Sequence, residues 1–165
     1  MTIGSANQFK VADVPGADKN DKLPKKIKLD IWDTPGAQAV QNLAQIHYQG
    51  AHAVILMYSI DSVQSLKSID EHCVNVETHC SDQTIKFLVG NKCDLENDRH
   101  NFWEDLETKA EKYDIQHIFE TSAIRERSDT VKALFEEVVR ELAHKAPTVA
   151  ASTALRLSQH QKRPL

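Results

Sequence analysis

Cysteine is scarce. Cys73, Cys80 and Cys93 are the only 3 in 165 residues, an odd count that does not form a disulfide framework. A reducing, cytoplasmic setting is therefore expected. Long apolar runs are lacking too: the longest, Ala53 to Tyr58, is far short of the ~20 residues a spanning helix needs. The first residues, Met1 to Gln8, have no charged-then-apolar signal pattern. The last, Gln161-Lys-Arg-Pro-Leu165, hold no cysteine for a prenyl group, so no lipid anchor is expected. Glycine and proline, 5 of each, are too few for a collagen-like or linker-like chain. No charge sign dominates: 20 Lys+Arg against 24 Asp+Glu leave a net charge of -4, which argues against a basic nucleic-acid or anionic-membrane binder. What remains is 41% hydrophobic and 27% charged, an ordinary globular balance. A chain of this size can bury roughly two thirds of its unfolded surface.

The pattern along the chain alternates between two periods. Phe9 to Asp13 reads as a short strand, followed by a polar loop from Pro15 to Pro24. Lys26 to Trp32 has period 2, with Ile27, Leu29 and Ile31 on one face, so the two strands suggest a long hairpin. Ala53 to Tyr58 is continuously apolar and fits a strand buried on both faces. Ser62 can cap a helix whose stripe is Leu66, Ile69, Cys73, Val76 and Cys80. Ile85 to Val89 is the next buried strand. Asn101 and Glu104 have capping-box spacing ahead of a helix carrying Phe102, Leu106, Ala110 and Tyr113. His117 to Phe119 is a short strand. Ser128 caps a last helix with Val131, Leu134, Phe135, Val138 and Leu142 on one face. From Pro147 the pattern fades, so residues 146–165 are expected to form a flexible tail after a domain over 1–145. Strands alternating with helices indicate an α/β domain with a mainly parallel sheet and helices on both faces. Ligands of such sheets bind at the carboxyl ends of strands.

Three strand ends hold distinctive residues: Asp33-Thr-Pro-Gly36, Gly90-Asn91-Lys92-Cys93-Asp94 and Glu120-Thr121-Ser122-Ala123. A fixed Asp94 carboxylate can accept from both the ring N–H and the exocyclic amine of guanine, a donor pair that adenine lacks. Lys92 has an aliphatic stem long enough to cover a base face. Backbone N–H groups at Ser122 and Ala123 can donate to the guanine carbonyl. Asp33 can hold a Mg²⁺-bound water, and Gly36 can bring its N–H close to a terminal phosphate. Singly, these segments have plain readings, since Asp-Thr-Pro-Gly is a good turn after any strand. Together, in this order and each after a strand, they point to a guanine nucleotide. His72-Cys73 and His79-Cys80 do not make a metal site, because on a helix the two pairs lie about 10 Å apart.

These residues resemble the small GTPases of the Ras superfamily, and the Rab branch in particular. Ile31-Trp-Asp-Thr-Pro-Gly36, Tyr48-Gln-Gly-Ala51, Val89-Gly-Asn-Lys-Cys-Asp-Leu95 and Glu120-Thr-Ser-Ala123 are similar to the Rab motifs at the same places. The resemblance implies a Ras-like fold of the P-loop NTPase type and a GTP/GDP switch in vesicle traffic or signalling. It implies a guanine site of Asn91, Lys92, Asp94, Ser122 and Ala123, and a second switch containing Asp33 and Gly36. Thr2-Ile3-Gly4 resembles the start of the first switch, which makes Thr2, with Asp33, a Mg²⁺ candidate. Trp32 holds the Rab partner-binding position, which implies effector or regulator proteins and peripheral membrane association through them.

The departures from the family are equally specific. No Gly-x-x-x-x-Gly-Lys-Ser/Thr is present; Gly16 to Leu23, the nearest lookalike, has Asp for the second Gly and Leu for the hydroxyl. The resemblance begins at the first switch, so the family's first strand, phosphate loop and first helix have no counterpart in these residues. Four charge-assisted bonds at ~1.5 kcal/mol each would be about 6 kcal/mol, more than 10⁴ in affinity. The family's first strand runs between the equivalents of 26–32 and 53–58. Those two strands are therefore expected to pair directly, to accept a strand from another chain, or to leave the fold weak. Ala37 stands at the place of the catalytic Gln, with Gln38 one residue late, so hydrolysis is expected to be impaired. The alternative is a nucleotide-free pseudo-GTPase that acts as a protein-interaction module.

Overall fold

A computed structural model describes residues 6–16, 26–34, 48–95 and 102–160; beyond Lys145 it describes the backbone alone. Strands β1 (Ala6–Asp13) and β2 (Lys26–Asp33) form the expected antiparallel hairpin, with Lys10 opposite Leu29 and Gln8 opposite Ile31. Strand β3 (Ala53–Ser59) pairs in parallel with β4 (Ile85–Asn91), and β4 with β5 (His117–Glu120). Helices α1 (Val63–His79), α2 (Trp103–Lys112) and α3 (Ser128–His160) complete the order, with a 3₁₀ turn at Arg125–Arg127 before α3.

Strand geometry sends alternate side chains to opposite faces, and helices cover both. Leu56, Tyr58 and Leu88 pack with Leu66, Ile69, Cys73 and Val76 of α1 and Leu106 of α2. Ile85, Phe87 and Val89 pack on the other face with Leu134 and Val138 of α3. The hairpin lands on α3 as well, where Leu29 and Val14 meet Val139 and Ala143, with Ile27 and Ile31 alongside. Helix α3 therefore buries a wider surface than the one stripe its sequence suggests.

Two expectations are corrected. First, β3 is not buried on both faces: Met57 is 53% exposed and Ala53, Val54 and Ile55 are half-buried. Strand β4, flanked on both sides, is the buried one. Among the described residues β3 pairs on its β4 side alone, and β2 pairs only with β1. The direct pairing of β2 with β3 does not occur there. Second, α2 is not opened by a capping box. Its N-cap is Phe102, which makes no side-chain cap bond, and Asn101 lies outside the described residues. The buried Phe102 ring instead packs edge-on against Tyr58 at 6.0 Å, while Glu104 and Asp105 in the first turn favour the helix dipole. The backbone of α3 runs on past Pro147 to His160. Ser62 caps α1 as expected, accepting from the Ser65 N–H at 3.2 Å.

One ion-pair cluster joins α1 to α2. Asp70 accepts from Lys109 and, at 2.8 Å, from the Tyr113 hydroxyl. The Lys109 hydrogen bond above all, then that of Tyr113, holds the Asp70 carboxyl below its ordinary range. A depressed folded value means the contribution is present above the unfolded pKa, near 4, and is lost as pH falls through the lower folded value. The Asp70 side chain is 42% exposed, so solvent screening holds the contribution to about 1 kcal/mol. Asp70→Asn is expected to lower the urea midpoint at pH 7, and the difference from the unsubstituted chain should shrink toward pH 3. An equal difference at both pH values would contradict this.

Candidate functional site

The segments at the ends of β4 and β5 are joined by hydrogen bonds running in both directions. The Thr121 N–H donates to the Gly90 carbonyl at 2.8 Å, and the Cys93 N–H to the Thr121 carbonyl at 3.0 Å. The Thr121 hydroxyl lies 3.4 Å from Asn91 Oδ1, and the Ile60 N–H donates to the Asn91 carbonyl at 3.1 Å. Asn91 thus ties together the ends of three strands. Gly90 is required here for close approach: a Cβ would meet Tyr58 Oη at 2.7 Å.

Asp94 and Ser122 meet across this junction, with Ser122 Oγ donating to Asp94 Oδ1. Ser122 is fully buried. A carboxylate has about four lone-pair positions, so one bond from Ser122 fixes its plane and leaves acceptors for a base. The Ser122 N–H donates to Thr130 Oγ1 at 3.1 Å, and the Thr130 hydroxyl in turn donates to the Arg127 carbonyl. Of the two backbone donors proposed for the guanine carbonyl, the Ser122 N–H is thus already used. Ala123 beside it is exposed.

Lys92 adopts a left-handed conformation, φ 65°, immediately after β4. Its ammonium pairs with Asp61 at 3.1 Å, beyond the end of β3. Asp61 also accepts from the Ser59 hydroxyl; this bond first, then that from Lys92, holds its carboxyl below the ordinary range. Burial pushes the Cys93 thiol up, which disfavours the reactive thiolate. Asp61 and Thr130 are site residues that the motifs did not reveal. Asp61 comes to the site because Ser59 is in register with Asn91. Nothing in the sequence singles out Thr130.

Asp33 ends β2, on the hairpin rather than on the three-stranded sheet. Thr2, Gly36 and Ala37 lie outside the described residues. Asp94 meets Ser122 at this junction, with Ala123 next to it and Lys92 leading into it, the residue types that a guanine base would need. Of the Mg²⁺ candidate pair, Asp33 is among the described residues and Thr2 is not.

Sequence comparison shows the family. Residues 1–144 match the Ras family. The chain belongs to that family. This Ras-family chain is 35% identical over 118 residues to the Ras-related protein Rab-19 of Homo sapiens, which covers 72% of the chain and 54% of that protein. It is 34% identical over 121 residues to Rab-3 of Caenorhabditis elegans, covering 73% and 54%, and 30% identical over 162 residues to Rab-26 of Bos taurus, covering 98% and 59%. The chain therefore spans little more than half the length of these relatives. The Ras-like fold expected from the motifs agrees with the match, and the parallel β3–β4–β5 sheet carries the candidate base-site loops at its carboxyl end. Among the described residues, no helix is long and apolar enough to cross a membrane.

Proposed function

We propose that this chain is a Rab-like guanine-nucleotide-binding unit that reads the base and holds the phosphates weakly. The observation that carries the reading is the Asp94 carboxylate fixed by buried Ser122 at the junction of the β4 and β5 loops. Guanine would donate its ring N–H and amine to Asp94 and accept from the Ala123 N–H. The Lys92 stem, with its ammonium on Asp61, would lie along one face of the base. With no Gly-rich loop ending in Lys-Ser/Thr in these residues, and Ala37 at the place of the water-orienting Gln, GTP hydrolysis is expected to be no faster than in buffer. The role is a switch or binding unit in vesicle traffic or signalling, cytoplasmic and peripheral to membranes through partner proteins.

A second reading has its own support. Trp32, Phe9 and Val11 share the outer hairpin face and are 44%, 58% and 63% exposed. Such a patch suits a protein partner, as in a pseudo-GTPase that acts by interaction alone. Titration of the ¹⁵N-labelled chain with guanosine and with adenosine separates the two readings. The first expects shifts at Lys92, Asp94 and Ala123 with guanosine only, and a Kd on the order of 10⁻⁴ M for a ligand of this size. Unchanged spectra, or equal response to both nucleosides, would reject it in favour of the second.

A further inference from the structure

At the other end of the sheet from the base loops, β5 and α3 bring together three ligand-type side chains outside the candidate nucleotide site. His117, Glu137 and Glu141 place one ligand atom each within 4.8 Å of one another, and all three residues are half-buried. His117 Nε2 is already 3.7 Å from Glu141 Oε1. The imidazole is held in place by stacking on buried Phe87, with ring centroids 4.7 Å apart and planes 15° from parallel. The two glutamates are one helical turn apart, at i and i+4, on the helix face that packs toward β5. Like charges at that spacing repel. Arg140 engages one oxygen of Glu137, which leaves the second oxygen as a possible ligand.

We propose that His117, Glu137 and Glu141 form a binding site for a divalent transition cation of the zinc class. One imidazole with two carboxylates suits zinc better than magnesium or calcium, which prefer oxygen alone. Three protein ligands leave a fourth position to water. Zn–N and Zn–O bonds of about 2.0–2.2 Å put ligand atoms some 3.3–3.5 Å apart in a tetrahedral site. The His117–Glu141 pair is close to that separation, and a side-chain torsion of Glu137 closes the remainder. The bound ion would staple the start of β5 to α3. The proposal does not depend on nucleotide binding.

The test is a Zn²⁺ titration of the full chain against a chromophoric chelator, paired with melting curves with and without Zn²⁺. One equivalent is expected to bind, with a Kd on the order of 10⁻⁶ M, and Glu137→Gln and Glu141→Gln should each weaken it by ~10-fold or more. Both substitutions are isosteric and sit at half-exposed helix positions, so their metal-free melts should match that of the unsubstituted chain. His117→Gln should abolish this binding, and the glutamate variants guard against misreading any loss of folding on its part. Zinc at a hundredfold excess over Kd should raise the unsubstituted chain's melting temperature by about 5 °C or more, and that of Glu141→Gln by far less. No binding in the micromolar range, or binding unchanged in both glutamate variants, would overturn the proposal; the second result would place the metal on cysteines or other histidines.

Discussion

Asp94→Asn is expected to lower guanosine affinity by at least ~100-fold while leaving the fold intact. Each hydrogen bond to a charged acceptor contributes about 1.5–3 kcal/mol, and guanine makes two with the carboxylate, so the loss is about 3 kcal/mol or more. An Asn side chain still accepts from Ser122, which keeps the loop junction in place, but its amide nitrogen then faces a guanine donor. Ser122→Ala is expected to do less, about tenfold, because the carboxylate keeps its charge and loses only its positioning bond. Calorimetric or NMR titration with guanosine, beside circular dichroism, checks both. Equal affinities in the parent chain and in Asp94→Asn would remove Asp94 from the site.

Phe87→Ala is expected to cost about 3–5 kcal/mol, the usual range for emptying a fully buried aromatic position. Phe87 has no exposed surface, stacks on His117 and lies 6.3 Å from the Phe119 ring, between β4 and α3. Domains of this size are stable by about 5–15 kcal/mol, so the variant should lose a large part of its urea midpoint. Phe9→Ala, on the exposed hairpin face, should change stability by less than about 0.5 kcal/mol. A small effect at Phe87 would mean that the sheet face toward α3 is not the packed core described here.

Local patterns were legible in the sequence, and contacts between distant segments were not. The Ile27, Leu29 and Ile31 alternation gave the inner hairpin face, because a strand's period is a property of its own backbone. Leu66, Ile69, Cys73 and Val76 are all buried, as the helical stripe requires. The exposure of Met57 was missed because an apolar run says nothing about how many neighbours a strand has. Val139 and Ala143 were missed because the surface they bury is set by where the hairpin lands. The candidate base-site motif stands out in the sequence because Asn91, Lys92 and Asp94 lie within four residues. The Lys92–Asp61 pair and the Ser122–Thr130 bond join separate segments, so no motif contains them.

The central claim is that the base is read while the phosphates are weakly held. Affinities of guanosine and GDP for the same chain, each measured by calorimetry in Mg²⁺ buffer, test it most directly. The account predicts that the two phosphates improve affinity by less than about tenfold, since four absent charge-assisted bonds would otherwise supply more than 10⁴. A GDP affinity more than a thousandfold above that of guanosine would contradict it, and would mean that other residues of this chain cradle the phosphates.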